Sequence, residues 1–132
     1  MTRVTAKVLC LGEALVDRLG PSGGDPACDQ PVDDRLGGAP ANVACGLARL
    51  GTSVAFVGRV GGDVIGSEFQ RLFVQRGVDA SALQSDPERP TRIVLVRRSL
   101  DGERQFQGFA GDQGEVFADQ VLKPVVLSSA AQ

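Results

Sequence analysis

The sequence predicts an α/β fold: a parallel sheet with helices packed on it and an antiparallel appendage. Three observations carry this reading. Continuous apolar runs of strand length alternate with segments of helical period. Glycines stand where those segments should stop. In the second half, an Asp-Gly pair between two β-rich runs breaks the alternation and signals a hairpin. A strand-helix-strand-helix order implies right-handed crossovers between parallel strands.

Size and composition agree with a globular domain. The chain has 132 residues, 42% of them hydrophobic, enough for one modest core. Its net charge of −2, from 14 Lys+Arg against 16 Asp+Glu, offers no basic field for nucleic acid. His, Trp and Tyr are absent, which excludes Ser-His and Cys-His nucleophile systems and imidazole metal ligands. The 3 cysteines, Cys10, Cys28 and Cys45, lack C-x-x-C spacing. They read as free thiols of a reducing, cytoplasmic compartment, with Cys10 and Cys45 as small core residues. The apolar run near the N-terminus is broken by Glu13 and is too short for a signal peptide or a membrane span.

In chain order, Val8-Leu9-Cys10-Leu11 is a buried strand ending at Gly12. Residues 15–19 form a second short strand. Residues 21–31, rich in Gly, Pro and Asp, read as a mobile connection. The segment Gly37-Gly38-Ala39-Pro40-Ala41-Asn42 opens a helix over 41–50. Two glycines allow a tight turn and a close approach of backbone to ligand. Pro40 suits the first helical turn, where its missing N–H has no partner. Val43, Leu47 and Leu50 lie at i, i+4 and i+7 as the apolar stripe, with Ala44 and Ala48 beside it and Gly51 as the stop. Gly46 inside this helix suggests close packing on a sheet. Residues 53–57 form another buried strand. Asp63 is an N-cap for a helix over 64–75, with Ile65, Phe69, Leu72 and Phe73 as its stripe and Gly77 as its end. Residues 91–98 and 103–109 are the hairpin strands. A short helix over 112–122 and a core strand at Val125-Val126-Leu127 complete the chain.

Function points to the glycine segment. The amide of Asn42 both donates and accepts, next to a helix N-terminus and an open backbone. Such a set suits a small ligand rich in hydroxyls. Glu13 is a further polar candidate at a strand's carboxyl end. Adjacent Asp33 and Asp34 point in different directions and read as a solvated turn rather than a metal site. Arg104 reads as a solvated hairpin charge. Gly61-Gly62-Asp63 reads as turn and cap.

These residues resemble the ribokinase-like, or PfkB-type, carbohydrate kinases. Gly37-Gly38-Ala39-Pro40-Ala41-Asn42-Val43-Ala44 fits that family's first signature, with Gly51 and Gly61 at its later positions. Gly12-Glu13-Ala14-Leu15-Val16-Asp17, Val60-Gly61-Gly62-Asp63-Val64-Ile65-Gly66 and Gly102-Glu103-Arg104-Gln105-Phe106 are similar to three further family segments. The wording is most like the fructokinase and ketodeoxygluconate kinase branch. The resemblance runs from Val8 to about Leu127.

The resemblance implies a three-layer α/β/α sandwich with a small β-sheet lid, its strands drawn from about 16–37 and 91–109. It implies a sugar between lid and sheet. Asp17 would accept hydrogen bonds from sugar hydroxyls, Asn42 and the Gly37-Gly38 backbone would hold others, and Phe106 would line the sugar's apolar face. It implies ATP and Mg²⁺ as cofactors, with phosphate moved onto a sugar hydroxymethyl, and it admits a homodimer through the lid. No nucleic acid or membrane partner is implied.

The family's catalytic base is the Asp of a late G-A-G-D motif, which this sequence lacks. Gly108-Phe109-Ala110-Gly111-Asp112 is a look-alike with an inserted Phe, and Asp112 reads as a turn or cap residue. No residue of this chain is therefore expected to be catalytic, and no phosphate-loop motif is present. An Arg that many relatives carry near Phe109-Ala110-Gly111 is also missing. The expectation is that residues 1–132 form the N-terminal part of a kinase domain, the sugar-binding half without the ATP half, truncated and inactive alone. The alternative is a non-catalytic sugar-binding or interaction module. A nucleoside kinase is disfavoured, because large aromatics for base stacking are lacking.

Overall fold

The computed structural model describes residues 3–111 and 116–127. Among these described residues, nine strands and two α-helices follow in order: β1 (Arg3–Val4), β2 (Val8–Leu11), β3 (Leu15–Ser22), β4 (Asp33–Gly37), α1 (Ala39–Arg49), β5 (Val54–Gly61), α2 (Val64–Arg76), β6 (Leu83–Asp86), β7 (Ile93–Arg98), β8 (Arg104–Phe109), a 3-10 turn (Ala118–Val121) and β9 (Val126–Leu127).

The expected parallel sheet is present, in the order β2-β5-β6. Its centre is β5, every residue of which is buried. Val54, Phe56 and Val60 turn toward the helices and join Phe69 and Phe73 of α2 in the main core. Phe56 and Phe73 stack with ring centroids 4.8 Å apart. The opposite face, around Ala55 and Val57, meets Ala6, Leu9, Leu122 and Val125.

The second sheet is the expected lid, in the order β4-β3-β7-β8. It is built from two excursions of the chain. β3 and β4 leave between β2 and α1, and β7 and β8 leave after β6. The excursions meet where β3 pairs with β7 in parallel, Val16 opposite Ile93. The β7–β8 hairpin closes through Gly102 at φ +91°, whose N–H donates to the Ser99 carbonyl at 3.0 Å.

Several expectations need correction. β1 and β6 are strands that the residue pattern does not predict. The α1 face is rotated: Ala41 and Ala44 are buried, whereas Val43 and Leu50 are exposed. Small residues face the core because the helix lies close against β2 and β5. Gly46 is exposed, and a Cβ added there would meet nothing within 4 Å, so this glycine does not mark close packing. Replacing Gly46 by Ala is expected to stabilise the protein by about 1 kcal/mol, the helix-propensity difference, read as a higher urea midpoint. The connection after β3 is tied down rather than loose. Asp25 accepts from the Ala27 N–H at 2.9 Å and from the Gln107 amide of β8 at 2.8 Å. Of the helix expected over 112–122, the described part is only the 3-10 turn. Asp112 lies outside the described residues. β9 does not enter the three-stranded sheet; it pairs in parallel with β1.

Two polar hubs, Asp63 half-buried and Asp86 buried, fix the frame. Asp63 caps α2 by accepting from the Gly66 N–H at 2.8 Å, and it accepts from both the N–H (2.9 Å) and the hydroxyl (2.8 Å) of Thr91. Asp86, nearly inaccessible, accepts from the Glu88 and Arg89 N–H groups and from Arg59 Nε at 3.0 Å. The Glu88 N–H leads in holding the Asp86 carboxyl well below the usual range, with Arg89 and Arg59 adding to it against the effect of burial. Burial pushes Asp63 up, but its donors outweigh that and leave it lowered. Both folded-state values lie below the unfolded one. Their stabilisation is therefore complete above roughly pH 4 and declines as pH falls toward the folded values. Urea midpoints taken from pH 6 to pH 3 are expected to drop over the acid end only.

Candidate functional site

Asp17 sits mid-strand in β3, opposite Arg35 of β4 and Val94 of β7. Side chains opposite each other in paired strands share a face, and this face of the lid borders a cavity of about 420 Å³. The carboxylate stands where Gly37 leaves room. A Cβ on Gly37 would lie 2.8 Å from Asp17 Oδ2. The neighbouring cations are engaged with other partners. Arg18 forms a bidentate pair with Asp34 at 2.9 and 2.8 Å, and Arg35 Nε donates to Asp33 at 2.7 Å. Among the described residues none donates a hydrogen bond to Asp17, so its oxygens are available to a ligand.

Asn42 reaches the same cavity from the other side, out of the first turn of α1. The turn is set by glycine geometry at two contacts. Gly38, the N-cap at φ +99°, would place a Cβ 2.6 Å from the Glu13 carbonyl oxygen. Gly12 likewise would place one 2.7 Å from Pro40 Cγ. The start of α1 thus lies flat on the end of β2, and the Asn42 N–H donates to the Gly38 carbonyl at 2.9 Å.

The five residues singled out from the sequence divide accordingly. Asp17, Gly37 and Asn42 border one cavity. Gly38 does not border it; it makes the joint that sets Asn42. Phe106 pairs with Val96 on the lid face of the cavity but stands beside the wall, 66% exposed, its ring against Phe109 with centroids 5.5 Å apart. The sequence reading missed Leu19, Leu36 and Val96, which give the wall an apolar flank, and Arg35; Arg104, read from the sequence as a solvated hairpin charge, is exposed and also borders the cavity. The period of two was the available signal: Leu19 follows Asp17, and Arg104 precedes Phe106, each by two residues.

A carboxylate, an amide and guanidinium groups around an apolar flank can bind a polyol. The charged groups take hydroxyls, and the aliphatic side chains take C–H surface. Glu13 is exposed at the crossing into the lid. Asp33 and Asp34 are each in an ion pair. Among the described residues no group of three or more acidic or thiol side chains is arranged to hold a metal ion. Burial raises the thiol values of Cys10 and Cys45, in keeping with small core residues.

A profile of the pfkB family carbohydrate kinases matches residues 5–131. The chain belongs to this family. The fructokinase of Escherichia coli is 40% identical over 121 residues, which are 92% of this chain and 38% of that protein. A crystal structure of the Xylella fastidiosa fructokinase with bound ATP is 34% identical, with a TM-score of 0.70, over 89% of this chain and 36% of the other. A Vibrio cholerae fructokinase with fructose, ADP and calcium bound is 35% identical, with a TM-score of 0.64, over 93% and 35%. This pfkB-family chain thus spans a little over a third of the length of the relatives it matches, and their lid-on-sandwich fold is the one it shares. No helix among the described residues is long and apolar enough to cross a membrane.

Proposed function

We propose that this chain supplies the sugar-binding part of a fructokinase-like kinase. One observation carries the reading: the Asp17 carboxylate, given room by Gly37 and without a donor among the described residues, borders the same cavity of about 420 Å³ as Asn42. In this reading Asp17 accepts hydrogen bonds from two sugar hydroxyls. Asn42 holds a third, and Arg104 orients the sugar from the lid. Leu19, Leu36 and Val96 cover its apolar face, and Phe106 closes over the open side.

The reaction is ATP-dependent phosphorylation of a sugar hydroxymethyl group. ATP and Mg²⁺ are assigned to the part of the domain that this chain does not supply, because the sequence carries neither a phosphate-loop motif nor the late G-A-G-D segment. No residue of the chain is assigned as the catalytic base. The chain binds, orients and shields the sugar, and it acts in the cytoplasm. The exposed lid face also suits pairing with a second lid.

Titration calorimetry with fructose tests the binding reading. A saturable heat is expected, unchanged in kind when the complementary C-terminal region of the Escherichia coli fructokinase is added. Absence of hexose binding in both mixtures would sink it. Sugar-dependent ADP release by the chain alone, at an ordinary turnover rate, would overturn the assignment of the ATP site elsewhere.

A further inference from the structure

Every residue bordering the cavity except Asn42 stands on a lid strand, and Asn42 stands on α1. The distance across the site is therefore set by how the lid stands on the sheet. The backbone crosses between the two at residues 12–14, at 38, at 87–92 and after Phe109. The first two crossings lock together through Gly38 and the Glu13 carbonyl. The third is held at Thr91 by Asp63. The remaining joint combines two backbone bonds, from the Ala110 N–H to the Ile93 carbonyl at 3.0 Å and from the Ala118 N–H to the Pro90 carbonyl at 2.9 Å, with one side chain.

Arg92, at the root of β7, donates from Nε and one terminal nitrogen to the two carboxylate oxygens of Asp119, at 2.7 and 2.8 Å. Its guanidinium lies 4.7 Å from the ring centre of Phe109 and 4.6 Å from that of Phe117. The pair is largely buried, at 12% and 5% exposure. Phe109 ends β8, while Phe117 and Asp119 belong to the turn packed on β5. The Arg92 carbonyl accepts from the Val16 N–H at 3.0 Å, one residue before Asp17. One guanidinium thus gathers the start of β7, the end of β8 and a turn fixed to the sheet. A tilt of the lid about its root would draw Arg92 off Asp119 and the Phe117 ring, whereas Phe109, itself on the lid, would move with it.

We propose that Arg92 is a positioning residue, whose clasp on Asp119, Phe109 and Phe117 sets the stance of the lid and hence the reach between Asp17 and Asn42. Its ligand consequence rests on the sugar reading of the cavity; its mechanical consequence does not. Lysine is not an adequate substitute, because an ammonium offers neither the planar fork nor the stacking surface.

The test uses the whole chain and two readouts. Spin labels go on native Cys28, exposed in the lid loop, and on Gln75→Cys in α2, with Cys45→Ser to prevent a third label. The expected result is a narrow lid-to-sheet distance distribution that broadens in Arg92→Lys and Arg92→Met. Fructose affinity is expected to fall about tenfold in both, as misplacement of binding groups does. Should Arg92→Met fail to fold, Asp119→Asn, which keeps the volume and removes the charge, is read in the same way. A variant that melts earlier yet keeps the wild-type distances and affinity, or a full rescue by lysine, overturns the proposal. If wild type binds no hexose but the distances still broaden, the clasp stands and the sugar reading falls.

Discussion

Replacing Asp17 by Asn is expected to cut fructose affinity by roughly a hundredfold. Hydrogen bonds to a charged acceptor contribute about 1.5–3 kcal/mol each. Losing the charge while keeping the shape weakens two of them, and each 1.4 kcal/mol is a factor of ten. Stability should hardly change, because no described residue donates to that carboxylate. Calorimetry beside a urea melt separates the two effects. Gly37→Ala should act on the same group by steric means, since the new methyl would meet Asp17 Oδ2 at 2.8 Å. If Asp17→Asn binds fructose as wild type does, the carboxylate is not a sugar ligand.

Gly38→Ala should give the largest loss of stability, roughly 3 kcal/mol. A left-handed backbone position costs about 1–3 kcal/mol for a residue with a side chain, and Gly38 is at φ +99°. The added methyl also points at the Glu13 carbonyl oxygen, 2.6 Å away. A backbone atom cannot swing aside as the end of a side chain does. The start of α1 would have to lift off β2, carrying Asn42 with it. A urea midpoint equal to wild type would contradict the close contact drawn here.

The fold was legible where one residue pattern served one purpose. β5 and α2 announced themselves by a continuous apolar run and by Phe69 and Phe73 one turn apart. The lid hairpin was legible in Asp101-Gly102. β6 was not, because Leu83-Gln84-Ser85-Asp86 carries one apolar residue and takes its place from pairing with β5. The α1 stripe misled because size, rather than hydrophobicity, chose the buried face. Of the candidate site, the glycines, Asp17 and Asn42 lay in motifs short enough to read. Arg104 lay in such a motif too but read as a solvated charge, since its place in the wall depends on where the lid stands relative to α1. Arg92 and Asp119, 27 positions apart, could be joined only in three dimensions.

The two-excursion construction of the lid has a kinetic consequence. Ser22 and Ser99, which hydrogen bond across the lid, are separated by 77 positions in the chain. Contacts of that span close late, after the entropy of a long loop has been lost. During synthesis the first excursion emerges with an open strand edge and waits for the second. The cavity under the lid is thus expected to form late, and protection of the β3 amides during refolding should report that step.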